Sequence, residues 1–420
     1  MKSMKWYIVL ILACYTCSGL VGAQDDSVYS VSKLSENIYK FETDGGGYTV
    51  KVLALVGPDG LLIVDAGEKE AGEALKKQLA QLGYGNPKII ISSHSHIEHT
   101  GGNMAFGREP LIIGHRNVRS RLMSGSYLFD EFPSEALPEL EFDDSLNLRF
   151  NDEDIRMMYF GGAHDNSDII IWFVQSKIVF VGAILNGFHF PSVDGKTGNV
   201  LEYPETVARL LAILPEDVKI IPGHGADCTM DDARKFLHML STSEDIVREG
   251  LASGKDKATL QEEDALKQFE SYDGSYTSRD HWLTCIADGI EDAQHPKAET
   301  KDIYRPIYYA YRDEGIDAAV ALYHKLKATE SEEYGFDEVT SLIIGYKLYS
   351  NDKKMDAVKF FSISVEEYPE GDYAGFCYRS MGIAYKEAGN KKEAIRCLKK
   401  ALEINPEHQG TKDLLEELEG

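Results

Sequence analysis

The 420-residue chain is short of positive charge. Its 44 lysines and arginines stand against 69 aspartates and glutamates, for a formal charge of −25. Such a surface repels phosphate backbones, and no stretch gathers Lys and Arg into a compensating patch, so nucleic acid is excluded as a partner and nuclease chemistry is disfavoured. Cysteine is scarce, with six in all. Cys228, Cys285, Cys377 and Cys397 show no C-x-x-C spacing, which argues against a zinc ribbon. Cys377 with Cys397 is the candidate disulfide in an oxidising compartment, and buried thiols are the other reading. A long apolar run is also lacking. The run from Trp6 to Ala13 is short and is followed by Cys14, Thr16, Cys17 and Ser18, too broken for a membrane span. With Lys2 and Lys5 before it and Val21-Gly22-Ala23 after it, it predicts a secretory signal over residues 1–23 and a periplasmic or secreted protein. Lipoprotein processing at Cys14, which would tether the chain to a membrane, is the minor alternative. Cleavage after Ala23 removes Lys2 and Lys5 and no acid, so the remainder is more acidic still.

What is present is a globular composition, 43% hydrophobic and 27% charged, at a length that predicts two domains. Residues 24–300 mix short strands and helices, with polar residues gathered at strand ends, the pattern of an α/β layered domain. Strands are expected at 48–56, 61–64, 88–92, 111–114, 155–160, 168–174, 177–181 and 218–221, and helices at 68–82 and 203–214. Residues 230–298 read as mostly helical. Residues 301–420 are of another kind. Gly345, Ala357, Phe361 and Pro369 recur 37 residues later as Gly382, Ala394, Leu398 and Pro406. The second copy resembles the tetratricopeptide pattern, and a weaker copy surrounds Gly315 and Ala319, which predicts three stacked helix pairs. Such an all-α array implies a groove for a protein or peptide partner, with dimerisation or a scaffold role as the alternative.

Chemistry concentrates in Ser92-Ser-His-Ser-His-Ile-Glu-His-Thr-Gly-Gly102. His94, His96 and His99 come from only twelve histidines in the chain, so their crowding with Glu98 is a pattern rather than a scatter. If the segment stays strand-like, His94, His96 and Glu98 alternate onto one side, and a helix starting near Thr100 turns His99 in after them. Converging imidazoles suit zinc. His164 in GGAHDNSD and His224 in PGHG each follow an expected strand, which would bring them to the same edge.

In this order, VDAG at 64–67, HSHIEHTGG, GGAHDNSD and PGHG resemble the metallo-β-lactamase superfamily. The resemblance implies an αβ/βα sandwich with a metal site between its two sheets. It implies a first zinc on His94, His96 and His164, and a second metal near Glu98, His99 and His224. A metal-activated hydroxide would then attack an ester, thioester, amide or lactam-type bond of an unidentified small molecule. Asp65 and Asp168 are expected to hold ligand histidines through their second ring nitrogen. Two positions depart from the family pattern. Glu98 stands where an aspartate is usual, so it must rotate, shift the second metal or act as a base. Ala183 stands where a bridging Asp or Cys is usual and has no donor atom. These departures motivate the alternative of a degenerate member that binds or scaffolds through its helical repeats. Iron-dependent redox chemistry ranks last, because it leans on the residue that Ala183 replaces. The substrate is set by loops, here 116–146 and 186–203, whose sequences do not announce it.

Overall fold

The structure is a computed structural model that describes residues 28–43, 49–123, 132–194, 197–274, 277–294, 300–369, 371, 373–406 and 408–419. The expected signal at 1–23 and Cys14 lie outside the described residues. Described residues up to Gln294 fall in one compact unit and those from Thr300 in a second.

The first unit is built on two sheets. One runs β1 (Tyr29–Lys33), β2 (Ile38–Thr43), β3 (Lys51–Gly57), β4 (Gly60–Val64), β5 (Ile89–Ser92), β6 (Leu111–His115) and β7 (Leu140–Phe142), in that spatial order. The other runs β12 (Lys219–Ile221), β11 (Ile178–Phe180), β10 (Ile169–Phe173), β9 (Glu153–Tyr159) and β8 (Ser145–Phe150). Strand alternation separates two apolar layers. Leu53, Leu55, Leu62, Val64, Ile89 and Ile91 of the first sheet pack with Ile155, Met157, Ile169, Ile171, Phe173 and Phe180 of the second. The opposite face of the first sheet, with Val52, Ala54, Val56, Ile63 and Ile90, takes Leu75 and Leu79 of helix α1 (Gly72–Gln81). This is the αβ/βα sandwich.

Several elements differ from the sequence expectation. The short helix α2 (Ile97–Thr100) begins before Thr100, with extended His96 as its cap, so Glu98 and His99 lie on a helical turn. The strand alternation from His94 therefore stops at His96. A 3-10 turn over Gly101–Ala105 continues α2. Helix α1 starts at Gly72 rather than at 68. There Gly72 approaches Gly102 so closely that a Cβ would stand 3.0 Å from its Cα. Helix α3 (Arg116–Met123) follows β6. Helix α4 is Tyr203–Ile213, and α5 (Met230–Ala252), α6 (Lys257–Glu262) and α7 (Arg279–Gln294) complete the unit. Trp282 of α7 is 1% exposed, donates to Ser243 Oγ of α5 at 2.8 Å and stacks on Phe190, so these helices brace the loop after β11.

The second unit is all α: α8 (Tyr304–Glu314), α9 (Ile316–Thr329), the single turn α10 (Ser331–Tyr334), α11 (Glu338–Ser350), α12 (Lys354–Glu367), α13 (Ala374–Glu387), α14 (Lys391–Ile404) and α15 (Gln409–Glu419). The repeated glycines sit where partner helices touch. A Cβ on Gly345 would be 2.8 Å from Phe361, and one on Gly382 would be 2.8 Å from Leu398. The turns repeat too: Gly315, Asp352 and Gly389 all take positive φ, at 90°, 59° and 75°. Of the two readings of Cys377 and Cys397, the structure shows the buried thiols and not the disulfide. Both side chains are fully buried thiols, one on α13 and one on α14, as are Cys228 and Cys285 in the first unit.

Candidate metal centre

The five histidines come together at one end of the sandwich, delivered by the segment after β5, the loop between β9 and β10, and the loop after β12. Two sets of three donors form. His94, His96 and His164 make one, and Glu98, His99 and His224 the other, with the ligand atoms of each set within 4.8 Å of one another.

Each imidazole has one nitrogen committed to a protein partner. His164 Nδ1 lies 3.0 Å from the Ser192 carbonyl and His224 Nδ1 2.7 Å from the Thr49 carbonyl. His99 Nδ1 lies 2.8 Å from Asp65 Oδ2, and His96 Nε2 3.4 Å from Asp194 Oδ2. Carbonyls and carboxylates only accept, so the ring protons sit on those nitrogens. His94 Nδ1 is 3.0 Å from Ser93 Oγ, whose own proton goes to Asp65 Oδ2 at 2.8 Å, so that hydroxyl accepts from His94. Each ring is thereby held by one nitrogen, with the second turned toward the neighbouring imidazoles.

His96 Nδ1 faces His164 Nε2 at 3.0 Å, His99 Nε2 faces His224 Nε2 at 3.0 Å, and buried His94 Nε2 has no hydrogen-bond partner among the described residues. Lone pairs meeting at such distances repel unless a cation lies among them. His94, His164 and His224 are not protonated near neutral pH. Burial, then the neighbouring His96, brings His164 down to about 4, and burial, then His99, brings His224 down to about 3. His94 is also held below its ordinary range by burial and the surrounding histidines. The donor set therefore fits one or two soft-to-borderline metal ions.

Glu98 leans toward both sets, with Oε1 3.5 Å from His96 Nδ1. Burial opposes its charge, but the histidines around it, His96 foremost, hold it well below the usual carboxylate range. Asp65 is wholly buried with a left-handed φ of 60° and accepts from Ser93 N at 2.7 Å as well as from Ser93 Oγ and His99. Gly102 lets the helical turn dock on this loop, since a Cβ there would lie 1.9 Å from the Ala66 carbonyl oxygen.

Asp168 is placed differently from the expectation. It accepts from the backbone N of Asp165 at 2.7 Å and not from an imidazole, because the second nitrogen of His164 is taken by Ser192. Burial and Asp165 push its carboxyl well above the usual range. It is Asp165 that ties the two histidine segments, accepting from Ser95 Oγ at 2.7 Å. Ala183 is nearly buried and offers only its carbonyl, which accepts from Tyr203 Oη at 3.0 Å. Asp194 is a site residue that sequence reading missed. Its carboxylate meets His96 Nε2 and accepts from Arg121 at 3.0 Å, while its backbone N donates to the His164 carbonyl at 2.7 Å.

Residues 45–224 match the family described as the metallo-beta-lactamase superfamily, and residues 376–408 match the tetratricopeptide repeat. The chain thus carries a metallo-β-lactamase superfamily domain followed by tetratricopeptide-type helices. Among curated relatives, the metallo-beta-lactamase type 2 of Elizabethkingia meningoseptica is 23% identical over 242 residues, covering 53% of this chain and 89% of that protein. The metallo-beta-lactamase IND-1 of Chryseobacterium indologenes is 21% identical over 229 residues, covering 53% and 91%. The solved structure of a metallo-beta-lactamase from Pontibacter korlensis overlaps 51% of this chain and 99% of its own, at 18% identity and a TM-score of 0.44.

Proposed function

We propose that the chain is an exported zinc-dependent hydrolase that cleaves an ester, thioester, amide or lactam-type bond of a small molecule. The observation that carries this reading is the set of five histidines whose outer nitrogens are held by protein partners and whose other nitrogens converge, with Glu98, in two sets of three donors. Zinc held by these residues would supply Lewis acidity and a water acidic enough to act as a nucleophile near neutral pH.

The protein's own part is positioning. Asp65, Asp194, Ser93, Ser192 and Thr49 fix the rings before any ion arrives, so little reorganisation remains at binding. Glu98 supplies the one carboxylate within the two donor sets. The names of the curated relatives make a β-lactam ring the first amide to try. The helices from Tyr304 onward are assigned to a protein or peptide partner, on the strength of the repeat match.

The test is metal content of the purified full chain, followed by turnover of a panel of esters, thioesters, amides and β-lactams after zinc loading. Expected are bound transition metal, loss of metal in His164→Ala, and hydrolysis of at least one class. Equal, negligible metal in both proteins with no turnover would overturn the hydrolase reading and favour a binding or scaffold role for the repeats.

A further inference from the structure

We propose that Lys51 and Asp227 form a clamp that positions His224, so that filling of the second metal position, that of Glu98, His99 and His224, depends on an ion pair outside both donor sets. This rests on the metallohydrolase reading above and adds two positioning residues to it.

His224 stands between Gly223 and Gly225, and Gly225 takes a left-handed φ of 71°. Glycine backbone is permissive, so this stretch does not hold the imidazole by its own stiffness. Its direction comes from outside contacts, and these lead to the start of β3. His224 Nδ1 donates to the Thr49 carbonyl at 2.7 Å, Gly225 N to Thr49 Oγ1 at 3.1 Å, and Lys51 N to the Gly223 carbonyl at 3.0 Å. Lys51 then reaches past the histidine. Its side chain is wholly buried, with Nζ 3.0 Å from Asp227 Oδ1. Lys40 of β2 meets the same carboxylate at 3.0 and 3.1 Å. A buried ammonium is costly to leave without a counter-charge, so Lys51 and Asp227 hold each other in place. Burial opposes the charge of Asp227, but Lys51 foremost, with Lys40, keeps its carboxyl below the ordinary range.

Beyond Asp227 the chain closes on β12, where Ile220 and Cys228 exchange two backbone bonds at 3.0 and 2.8 Å. The segment between them is thus pinned at its base by the second sheet and along its tip by the first. There is little slack, since a Cβ on Gly223 would stand 2.8 Å from His99 Cε1. A shift of this segment changes the 3.0 Å approach of His224 to His99, two of the three donors of the second set. The first set is anchored elsewhere: His94 on Ser93, His96 on Asp194 and His164 on Ser192. None of these three contacts involves Lys51 or Asp227.

The experiment is cobalt(II) titration of the full chain, with affinity from competition against a chromophoric chelator. His164→Ala and His224→Ala mark which equivalent belongs to which position. Lys51→Met, Asp227→Asn and the double variant are compared with wild type, with far-UV circular dichroism and thermal unfolding of the metal-stripped proteins reporting on the fold. Lys40 keeps Asp227 neutralised in Lys51→Met, so that variant removes the tie to β3 without leaving a bare charge. Asn keeps the shape of the carboxylate, so either single variant serves should the other fail to fold. The clamp predicts that each single variant weakens the second position about tenfold, the lower end for loss of an outer partner, and leaves the first, that of His94, His96 and His164, unchanged. The double variant should lose no more than Asp227→Asn alone, because the two residues act as one unit. Wild-type affinity at the second position, equal loss at both positions, or additive losses in the double variant would overturn the clamp. Wild type that takes up no cobalt or zinc overturns the metallohydrolase reading itself, a result distinct from those.

Discussion

Asp65→Asn is the substitution that most directly examines how the site is held. The left-handed backbone at 65, φ 60°, is tolerated by asparagine, so the change tests hydrogen bonding and not strain. Oδ1 must remain an oxygen to accept from Ser93 N at 2.7 Å. The new amide nitrogen then replaces Oδ2 and points at Ser93 Oγ and His99 Nδ1, both 2.8 Å from that atom. It donates to both. His99 Nδ1 becomes an acceptor and its proton moves to Nε2, the nitrogen that faces His224 at 3.0 Å. Ser93 Oγ, deprived of its acceptor, turns its own proton to His94 Nδ1, which moves that ring's proton to Nε2 as well. One substitution thus blocks an inner nitrogen in each donor set. Loss of an outer partner alone weakens metal binding by about 10–100-fold, and that is the loss expected at each position, on the order of 1.4–2.7 kcal/mol. The metal-free protein should lose less, because the new N–H relieves the opposed lone pairs of His99 and His224. Zinc or cobalt affinity and thermal unfolding of the stripped protein measure the two effects separately. Wild-type affinity at either position in Asp65→Asn would refute the assigned tautomers.

Asp194→Ala removes an acceptor shared by His96 and Arg121, so affinity at the first position should drop about tenfold or more, and Asp194→Glu should restore part of it; unchanged metal binding would deny Asp194 a positioning role. In the metal-free protein, the buried, depressed His164 and His224 make the folded state bind fewer protons than the unfolded one. Stability is therefore full above the unfolded pKa of about 6.5 and falls as pH drops toward 4, by up to about 1.4 kcal/mol per unit for each group. Equal urea midpoints at pH 7.5 and 5 would contradict that. Gly382→Ala drives a methyl into Leu398 and should cost the helical unit about 1–3 kcal/mol, read as a lower melting transition. Asp352→Gly, which relieves a left-handed aspartate, should leave that transition unchanged or raise it.

The parts of the site legible in the sequence were those written as contiguous words. His94, His96, Glu98 and His99 lie within one motif, and His164 and His224 each sit beside glycine after a strand, so their convergence could be read from order alone. The partners that fix the rings could not. Asp194 meets His96 from 98 residues away and Thr49 meets His224 from 175, each a lone polar residue in a segment with no period. Asp168 was assigned to an imidazole by analogy, and a backbone carbonyl at Ser192 holds that ring instead. The alternation argument correctly grouped His94 with His96 but ran on past residue 96, because nothing in Ile97-Glu98-His99 announces that the chain coils there. In the helical unit the 37-residue recurrence located the close helix contacts at Gly345 and Gly382, since small residues at a fixed offset have only that use.

The left-handed turns at 315, 352 and 389 make the C-terminal helices a set of interchangeable parts. Cutting the chain at one such turn and rejoining it at the next would remove a whole helix pair and leave a junction of the same handedness. The length of this region is therefore free to vary by whole units over generations, with no compensating change required in the turn chemistry.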